Sequence, residues 1–558
     1  MQGRVRKTEM MLGTMTTSGM ELQFLLLGLL AFVAIFAGLA KQLAIPYPIV
    51  LVLAGLLVSV IPGIPRIGLS PNLVFLVFLP PLLYSAAWTL SWQEFRKNLV
   101  SIGWLAFGLV VFTVAAVSVT AGSFLPGFDW KAGFMLGAVV AATDAIAATA
   151  AARRMGLSRS IAQLLEAESL LNDGTGLLAL QFGLVILVQG RVPGFVDGLG
   201  RLLYLVGAGL GIGILIGQVV SWFERWVDDG PVEIVISLLV PYLTYLVGNA
   251  MHASGVLAVI ACGMVMSRES SSYLSGSVRL ELDAVWNALT FVLNGLVFVL
   301  IGLQLPYVLA EIHGMQLWTL AAYGAAFSAF LIVLRLVWVF TIRYARYWVG
   351  VWQSDPIAGP ARPARLQKRN LFLVGWTGLR GVLSLTAAIS LPEVLPNGKA
   401  FPQRNMIVFL TFCVILTTLV LQGLTLPALI RKLGLQAKDD EVEREEEARR
   451  EMLVAALDAV KRRKWKAQPE IAVIYNELEK VYESRLAAMP QPRKGLETKA
   501  AEVSHARWRE AILVALGVER ATLAEFQKDG RVSDETARVL QRELDLAESR
   551  VHTSGSLL

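Results

Sequence analysis

The chain has 558 residues, of which 55% are hydrophobic and only 17% charged, with a net charge of +7 and a mean hydropathy of +0.59. Soluble domains carry about 25% charged residues, so this much apolar surface excludes an ordinary soluble enzyme. Charge is also unevenly placed: residues 436–558 hold 22 basic and 24 acidic side chains, and the apolar body before them carries the positive excess.

A bilayer core about 30 Å thick is crossed by roughly 20 apolar helical residues. On that ruler the body predicts an all-α polytopic membrane protein of about 13 transmembrane helices. The spans fall at 21–40, 45–61, 69–90, 99–122, 131–152, 162–189, 201–224, 231–248, 253–267, 284–304, 316–343, 369–391 and 405–430. Arg4, Arg6 and Lys7 precede the first run as in a signal peptide, but the run is long for one and many more follow, so it reads as a first span. An odd number of spans places the termini on opposite sides. One set of loops holds Lys41, Arg96, Lys97, Arg153, Arg154, Arg225, Arg268, Arg279 and Arg431, with others. The opposite set holds Arg66, Lys131, Arg191, Arg201, Lys399, Arg404 and the three N-terminal residues. Basic loops face the cytoplasm, so the N-terminus is expected outside and the C-terminus on the cytoplasmic side. The basic balance thus reports topology, and no nucleic-acid partner is implied. Trp88, Trp92 and Trp130 suit the membrane interface, and Glu233 and Arg225 are expected at its boundary. His252 reads as a packing or interface residue in preference to a pH sensor.

Residues 1–435 therefore form a transmembrane domain and residues 436–558 a charged cytoplasmic region, mainly helical and interrupted near Pro490 and Pro492. Its alternating charge describes solvated helix faces, or else a regulatory or dimer-clasping element. Cys262 and Cys413 lie in apolar runs, which argues against a disulfide framework or zinc site. The absence of a phosphate-cradling Walker motif argues against ATP-driven transport.

Ionisable residues within spans are costly and mark function by default. Here they are Asp144 in the fifth span, Glu168 and Asp173 in the sixth, Arg335 in the eleventh and Arg380 in the twelfth. Three acids face two bases, so one carboxylate must take a proton or hold a cation. Asp144 lies in the small-residue stretch from Ala141 to Ala148, and Arg380 in Gly375-Trp376-Thr377-Gly378-Leu379-Arg380-Gly381. Such stretches are either packing faces or helix breaks. Two inverted repeats, about 21–189 and 231–430, place the fifth and twelfth spans in corresponding positions as crossed broken helices. An acid at one break and a base at the other then compensate the exposed half-helix dipoles.

The sixth span begins Glu166-Ala167-Glu168-Ser169-Leu170-Leu171-Asn172-Asp173-Gly174-Thr175-Gly176. On a helix Glu168 and Asn172 are i,i+4 neighbours, as are Ser169 and Asp173. This gathers oxygen donors, which hard cations require, on one polar sector. A cytoplasmic loop with a helix cap is the alternative, since the same residues favour turns.

The run Glu168-Ser169-Leu170-Leu171-Asn172-Asp173-Gly174 resembles the signature of monovalent cation/proton antiporters of the sodium/proton exchanger type. Phe78-Leu79-Pro80-Pro81-Leu82-Leu83-Tyr84, Thr143-Asp144, and Gly378-Leu379-Arg380-Gly381 with Ser384-Leu385 match family segments in the expected order, over roughly residues 20–435. The resemblance implies that Asp173 alternates between a proton and a cation. Asp144, Ser169 and Thr143 are then additional cation ligands, with Glu168 near the site and Asn172 positioning it. Arg335 corresponds to an arginine that pairs with Glu168, and Arg380 and Asp144 to the charges of the crossed helices. The Asn-Asp pair is similar to the electroneutral branch. The chain departs from some relatives at Ser85, where they carry an acid.

The resulting expectation is an antiporter, not an enzyme. It exchanges sodium (or potassium or lithium) for protons without a cofactor, and acts as a homodimer in the bilayer with a possible cytoplasmic regulator on residues 436–558. A cation channel or a transporter-like sensor signalling through that region is the alternative. An intramembrane hydrolase using Asp144 and Asp173 would need a protease-type sequence, and none stands out.

Overall fold

The computed structural model describes residues 27–43, 45–61, 74–144, 159–189, 194–310, 316–348, 364–394, 403–435, 440–466, 469–487, 498–529, 540–541 and 543–548, with a few isolated positions besides. Ala145 to Ala148, and Arg66, Arg153, Arg154, Arg191 and Lys399 of the loop argument, lie outside them. The chain forms two compact units, Met1–Gln436 and Ala437–Leu558.

In the first unit the described residues are almost entirely helical. The helices are α1 Leu27–Gln42, α2 Tyr47–Ser59, α3 Val74–Thr89, α4 Trp92–Phe124 and α5 Trp130–Ala141. They continue with α6 Arg159–Gln189, α7 Phe195–Glu224, α8 Gly230–Ala250, α9 Gly255–Tyr273 and α10 Gly276–Leu303. Then come α11 Leu305–Ala310, α12 Leu317–Trp348, α13 Ala364–Trp376, α14 Val382–Ile389 and α15 Arg404–Leu433. Seven helices among the described residues are long and apolar enough to cross a membrane.

Several starts are fixed by side-chain caps, which satisfy amide groups that the first turn leaves open. Asp129 accepts from the Ala132 amide at 2.8 Å and Asp229 from Val232 at 3.3 Å. Ser254 accepts from Leu257 at 3.3 Å and Ser275 from Val278 at 3.4 Å. Trp92 and Trp130 are exposed near helix ends, with Arg268 and Lys131 over their rings at 5.7 and 5.8 Å.

The helices sort into two bundles. In the first, α10 packs on α2, while α9 packs on α3, α7 and α8. In the second, α5 packs between α4 and α6, and α12 packs on α13 and α15, which in turn holds α14. Close backbone approach locks α10 to its bundle. A Cβ on Gly55 would stand 2.7 Å from the Val299 carbonyl, and one on Gly302 would stand 2.7 Å from the Leu56 amide nitrogen. The seam between bundles is thin, formed where α3 and α9 meet α6, where α10 meets α14 and where α2 meets α15.

Two expected spans are interrupted. The fifth stops as a helix at Ala141, and Ala142 and Thr143 continue without helical pairing to Asp144. The twelfth divides at Thr377–Gly381 into α13 and α14. Single π-helical turns at Trp104–Gly108 in α4 and Thr418–Gln422 in α15 displace backbone carbonyls from the regular ladder.

The second unit contains α16 Asp440–Lys466, α17 Pro469–Ala487 and α18 Thr498–Lys528. α16 and α17 pack together, joined by Lys464–Glu479 at 2.7 Å and Lys461–Glu483 at 3.1 Å. Lys464, with Lys461 behind it, holds the Glu479 carboxyl below the usual carboxylate range. A small apolar cluster of Ile512, Leu516 and Val551 sits on α18, where Arg520 pairs with Asp545 at 2.6 Å and with Glu548.

Candidate functional site

The two breaks cross. The Asp144 amide donates to the Leu379 carbonyl at 2.8 Å, tying the extended segment after α5 to that before α14. Arg380 then donates from Nη1 to the carbonyls of Ala141 and Ala142 at 2.6 and 3.0 Å. These carbonyls end α5 and have no continuing helix to receive them, so the guanidinium supplies both hydrogen bonds and a charge suited to the negative helix end. Ser384 adds a 3.3 Å bond to Ala142, and Thr418 in its π turn accepts from the Arg380 amide at 3.2 Å. Gly381 is required here. A Cβ on it would stand 2.5 Å from Asp144 Oδ2 and 2.6 Å from its Cβ, so the Asp144 carboxylate rests directly against the start of α14.

α6 brings its polar sector against this crossing. Ser169 donates to the Thr143 carbonyl at 2.6 Å, and Asn172 donates to the Thr143 hydroxyl at 3.1 Å. Thr175 donates to the Ala106 carbonyl, in the π turn of α4, at 2.8 Å. Asn172 is fully buried, and its Oδ1 has no hydrogen-bond partner among the described residues. Glu168 is also buried and forms a two-pronged pair with Arg335 on α12, at 2.5 and 2.9 Å. Arg335 further donates to the Val374 carbonyl from Nε and Nη2, at 3.3 and 3.1 Å. Gly378 lets the Arg335 chain pass, since a Cβ there would overlap Cδ and lie 2.7 Å from Nε.

A cavity of about 440 Å³ reaches this region, and Thr143, Asp144, Ser169 and Asp173 all line it. Glu168, Asn172, Arg335 and Arg380 do not. The eight residues singled out from the sequence therefore form two shells: four face the cavity, and four fix the framework behind it. Asp173 makes no hydrogen bond or ion pair among the described residues, although the charges of Asp144 and Arg380 act on it.

Sequence reasoning missed part of the wall. Tyr47, Asn287, Thr290 and Asn294 line the cavity, and so does Ser85, which was noted only as a departure. Asn287, Thr290 and Asn294 share one face of the tenth span by their spacing, and that was the available signal. Arg225 is exposed and pairs with Glu269 at 3.3 Å, but Glu233 and its neighbour Glu224 are 3% and 1% exposed. His252 is exposed, with a φ of 54° in the turn between α8 and α9.

The crossing makes a prediction. Gly381→Ala must displace the Asp144 carboxylate or open the crossing. Transport activity is expected to fall at least tenfold (about 1.4 kcal/mol of transition-state or binding energy) with normal expression. Everted-vesicle assays compared with immunoblots check it, and wild-type rates would mean that the Asp144 position is immaterial.

The comparisons agree with this architecture. The family description "Sodium/hydrogen exchanger, transmembrane" matches residues 28–432. An uncharacterized Na+/H+ exchanger of Mycobacterium tuberculosis is 30% identical over 535 residues, covering 94% of this chain and 96% of the relative. A sodium, potassium, lithium and rubidium/H+ antiporter of Bacillus pumilus is 32% identical over 434 residues, covering 75% of this chain and 62% of the relative. The solved sodium proton antiporter MjNhaP1 from Methanocaldococcus jannaschii at pH 8 superposes with a TM-score of 0.56 at 18% identity, covering 74% of this chain and 98% of that one. A membrane-embedded helical body with this ordered set of motifs, matched along most of its length, belongs to the sodium/hydrogen exchanger family.

Proposed function

We propose that the protein exchanges sodium, or potassium or lithium, for protons, one for one and without net charge movement. The observation that carries this reading is the division of the buried acids. Glu168 is neutralised by Arg335, whereas Asp173 and Asp144 line a cavity. Asn172 contributes no charge beside Asp173, so a single unit of charge remains for a proton or a cation to balance. The cation and the proton compete for Asp173, with Asp144, Ser169 and Thr143 as further oxygen ligands. The bundle containing α4–α6 and α12–α15 moves against the other along the thin seam, exposing the site to each face in turn. An ionised Asp173 without cargo is costly in a dry interior, which suppresses movement of the empty carrier and couples the two fluxes. The relatives named for Na+/H+ or broader alkali-cation exchange support the cargo class.

On the same reading the protein is a transporter of the bacterial plasma membrane and not an enzyme, built on two inverted repeats, with the N-terminus outside. It works as a homodimer, and residues 436–558 form a cytoplasmic region available to a regulator.

The test is purified protein in proteoliposomes with an internal pH dye. Added sodium or potassium is expected to drive proton movement at the same rate whether membrane potential is clamped at zero or left free. A rate that follows potential would overturn the one-for-one stoichiometry. Cation flux without proton movement would overturn exchange altogether and favour a channel or sensor.

A further inference from the structure

The cavity wall has a polar row contributed by the bundle that does not carry the carboxylates. Asn287, Thr290 and Asn294 on α10 all line it. Their spacing of three and four residues stacks them on one helix face, over a length of about 10 Å. Burial increases along the row: Asn287 is exposed, Thr290 half-buried and Asn294 only 7% exposed. Thr89, exposed like Asn287, lines the same cavity, and the buried end shares it with Asp144 and Asp173.

Asn294 is the informative member. The Thr290 hydroxyl is committed to the Trp286 carbonyl at 2.6 Å. The Asn294 side chain has no hydrogen bond among the described residues, although it is more than nine-tenths buried and opens on the cavity. Buried amides are almost always paired, and leaving one open costs stability. A packing role would be met as well by Leu or Val, which dominate the rest of α10. An amide carbonyl is an oxygen donor suited to an alkali cation or to one of its waters. The glycine contacts that lock α10 to α2 also mean that Asn294 stays behind when the carboxylate bundle moves.

Resting on the exchange reading above, we propose that Asn294 is an additional ligand for the transported cation, direct or through one water. It acts only while the cavity is open on the Thr89–Asn287 side, which that reading places in the cytoplasm. Asn287 and Thr290 are the preceding stations, where the cation exchanges bulk water for protein oxygen. Cation affinity is then higher at the cytoplasmic face than at the outer face, and the difference resides in a residue outside the carboxylate site.

Apparent KM for sodium is to be measured separately at each face, in everted and right-side-out vesicles, for wild type, Asn294→Ala and Asn294→Ser. Asn294→Ala is expected to raise the cytoplasmic KM about five- to tenfold, as for one lost hydrogen-bond-scale contact. The outer KM should stay unchanged and the maximal rate should not fall. Asn294→Ser keeps an oxygen and recovers part of the cytoplasmic affinity, and it carries the test if the alanine variant does not fold. Equal shifts at both faces, no shift at either, or a lower maximal rate with a lowered melting temperature would each overturn the proposal. Wild-type vesicles distinguish the two levels: if they fail to exchange, the exchange reading falls, whereas exchange with face-independent variants removes only the role of Asn294.

Discussion

Asp173→Asn is expected to reduce cation-driven proton movement to that of protein-free liposomes while leaving the fold intact. The substitution changes almost no volume and replaces a titratable oxygen with an amide nitrogen. Among the described residues the Asp173 carboxylate has no hydrogen bond to lose, and only the charges of Asp144 and Arg380 act on it, so the fold should tolerate the change. On the exchange reading proposed above, removing it eliminates the group for which a proton and a cation compete. Melting temperature in detergent should lie within about 4 °C of wild type, the shift that roughly 1 kcal/mol produces in a mid-sized domain. Binding of sodium, followed calorimetrically, should disappear with transport. Exchange at near-normal rate in the folded variant would reject Asp173 as the coupling residue and transfer that role to Asp144.

Arg335→Ala should behave in the opposite manner, damaging the fold before it damages the chemistry. It removes both hydrogen bonds to Glu168, which is 1% exposed, and both bonds to the Val374 carbonyl. Breaking one side of a buried pair leaves an uncompensated charge and costs about 3–5 kcal/mol. Low yield and a large fall in melting temperature are the expected results. Arg335→Lys should not rescue it, because an ammonium cannot reproduce the planar two-pronged contact. Glu168→Gln combined with Arg335→Ala should recover part of the loss by removing the stranded carboxylate. That recovery, measured as a thermodynamic cycle, separates a true pair from two independent losses. A well-folded single variant with wild-type melting would mean that the pair contributes nothing to stability.

The sequence conveyed the helices better than the site's detail, for identifiable reasons. Long apolar runs announce spans directly, and the breaks were visible as Gly378 and Gly381 around Arg380 and as the small residues around Asp144. Helix ends were less legible. α10 begins at Gly276, eight residues before its apolar stretch, because the Ser275 cap starts the helix in polar sequence. The π turns at Trp104–Gly108 and Thr418–Gln422 carry no composition signal. Glu168 and Arg335 are separated by 167 residues, so no local pattern could join them, and the pairing came through family resemblance. The α10 row went unnoticed because each polar residue, taken singly, is tolerable in a span.

The crossing also constrains the order in which the protein is made. Chains are synthesised from the N-terminus, so Asp144, Glu168 and Asp173 leave the ribosome well before Arg335 and Arg380. The α5 carbonyls that Arg380 caps precede it by 239 and 238 residues. Between Asp173 and Arg335 the nascent chain holds three span acids and an open helix end with neither Arg335 nor Arg380 yet made. Completion of the electrostatics is therefore a late step in biogenesis, and the crossing is finished only when α12 to α15 have joined it.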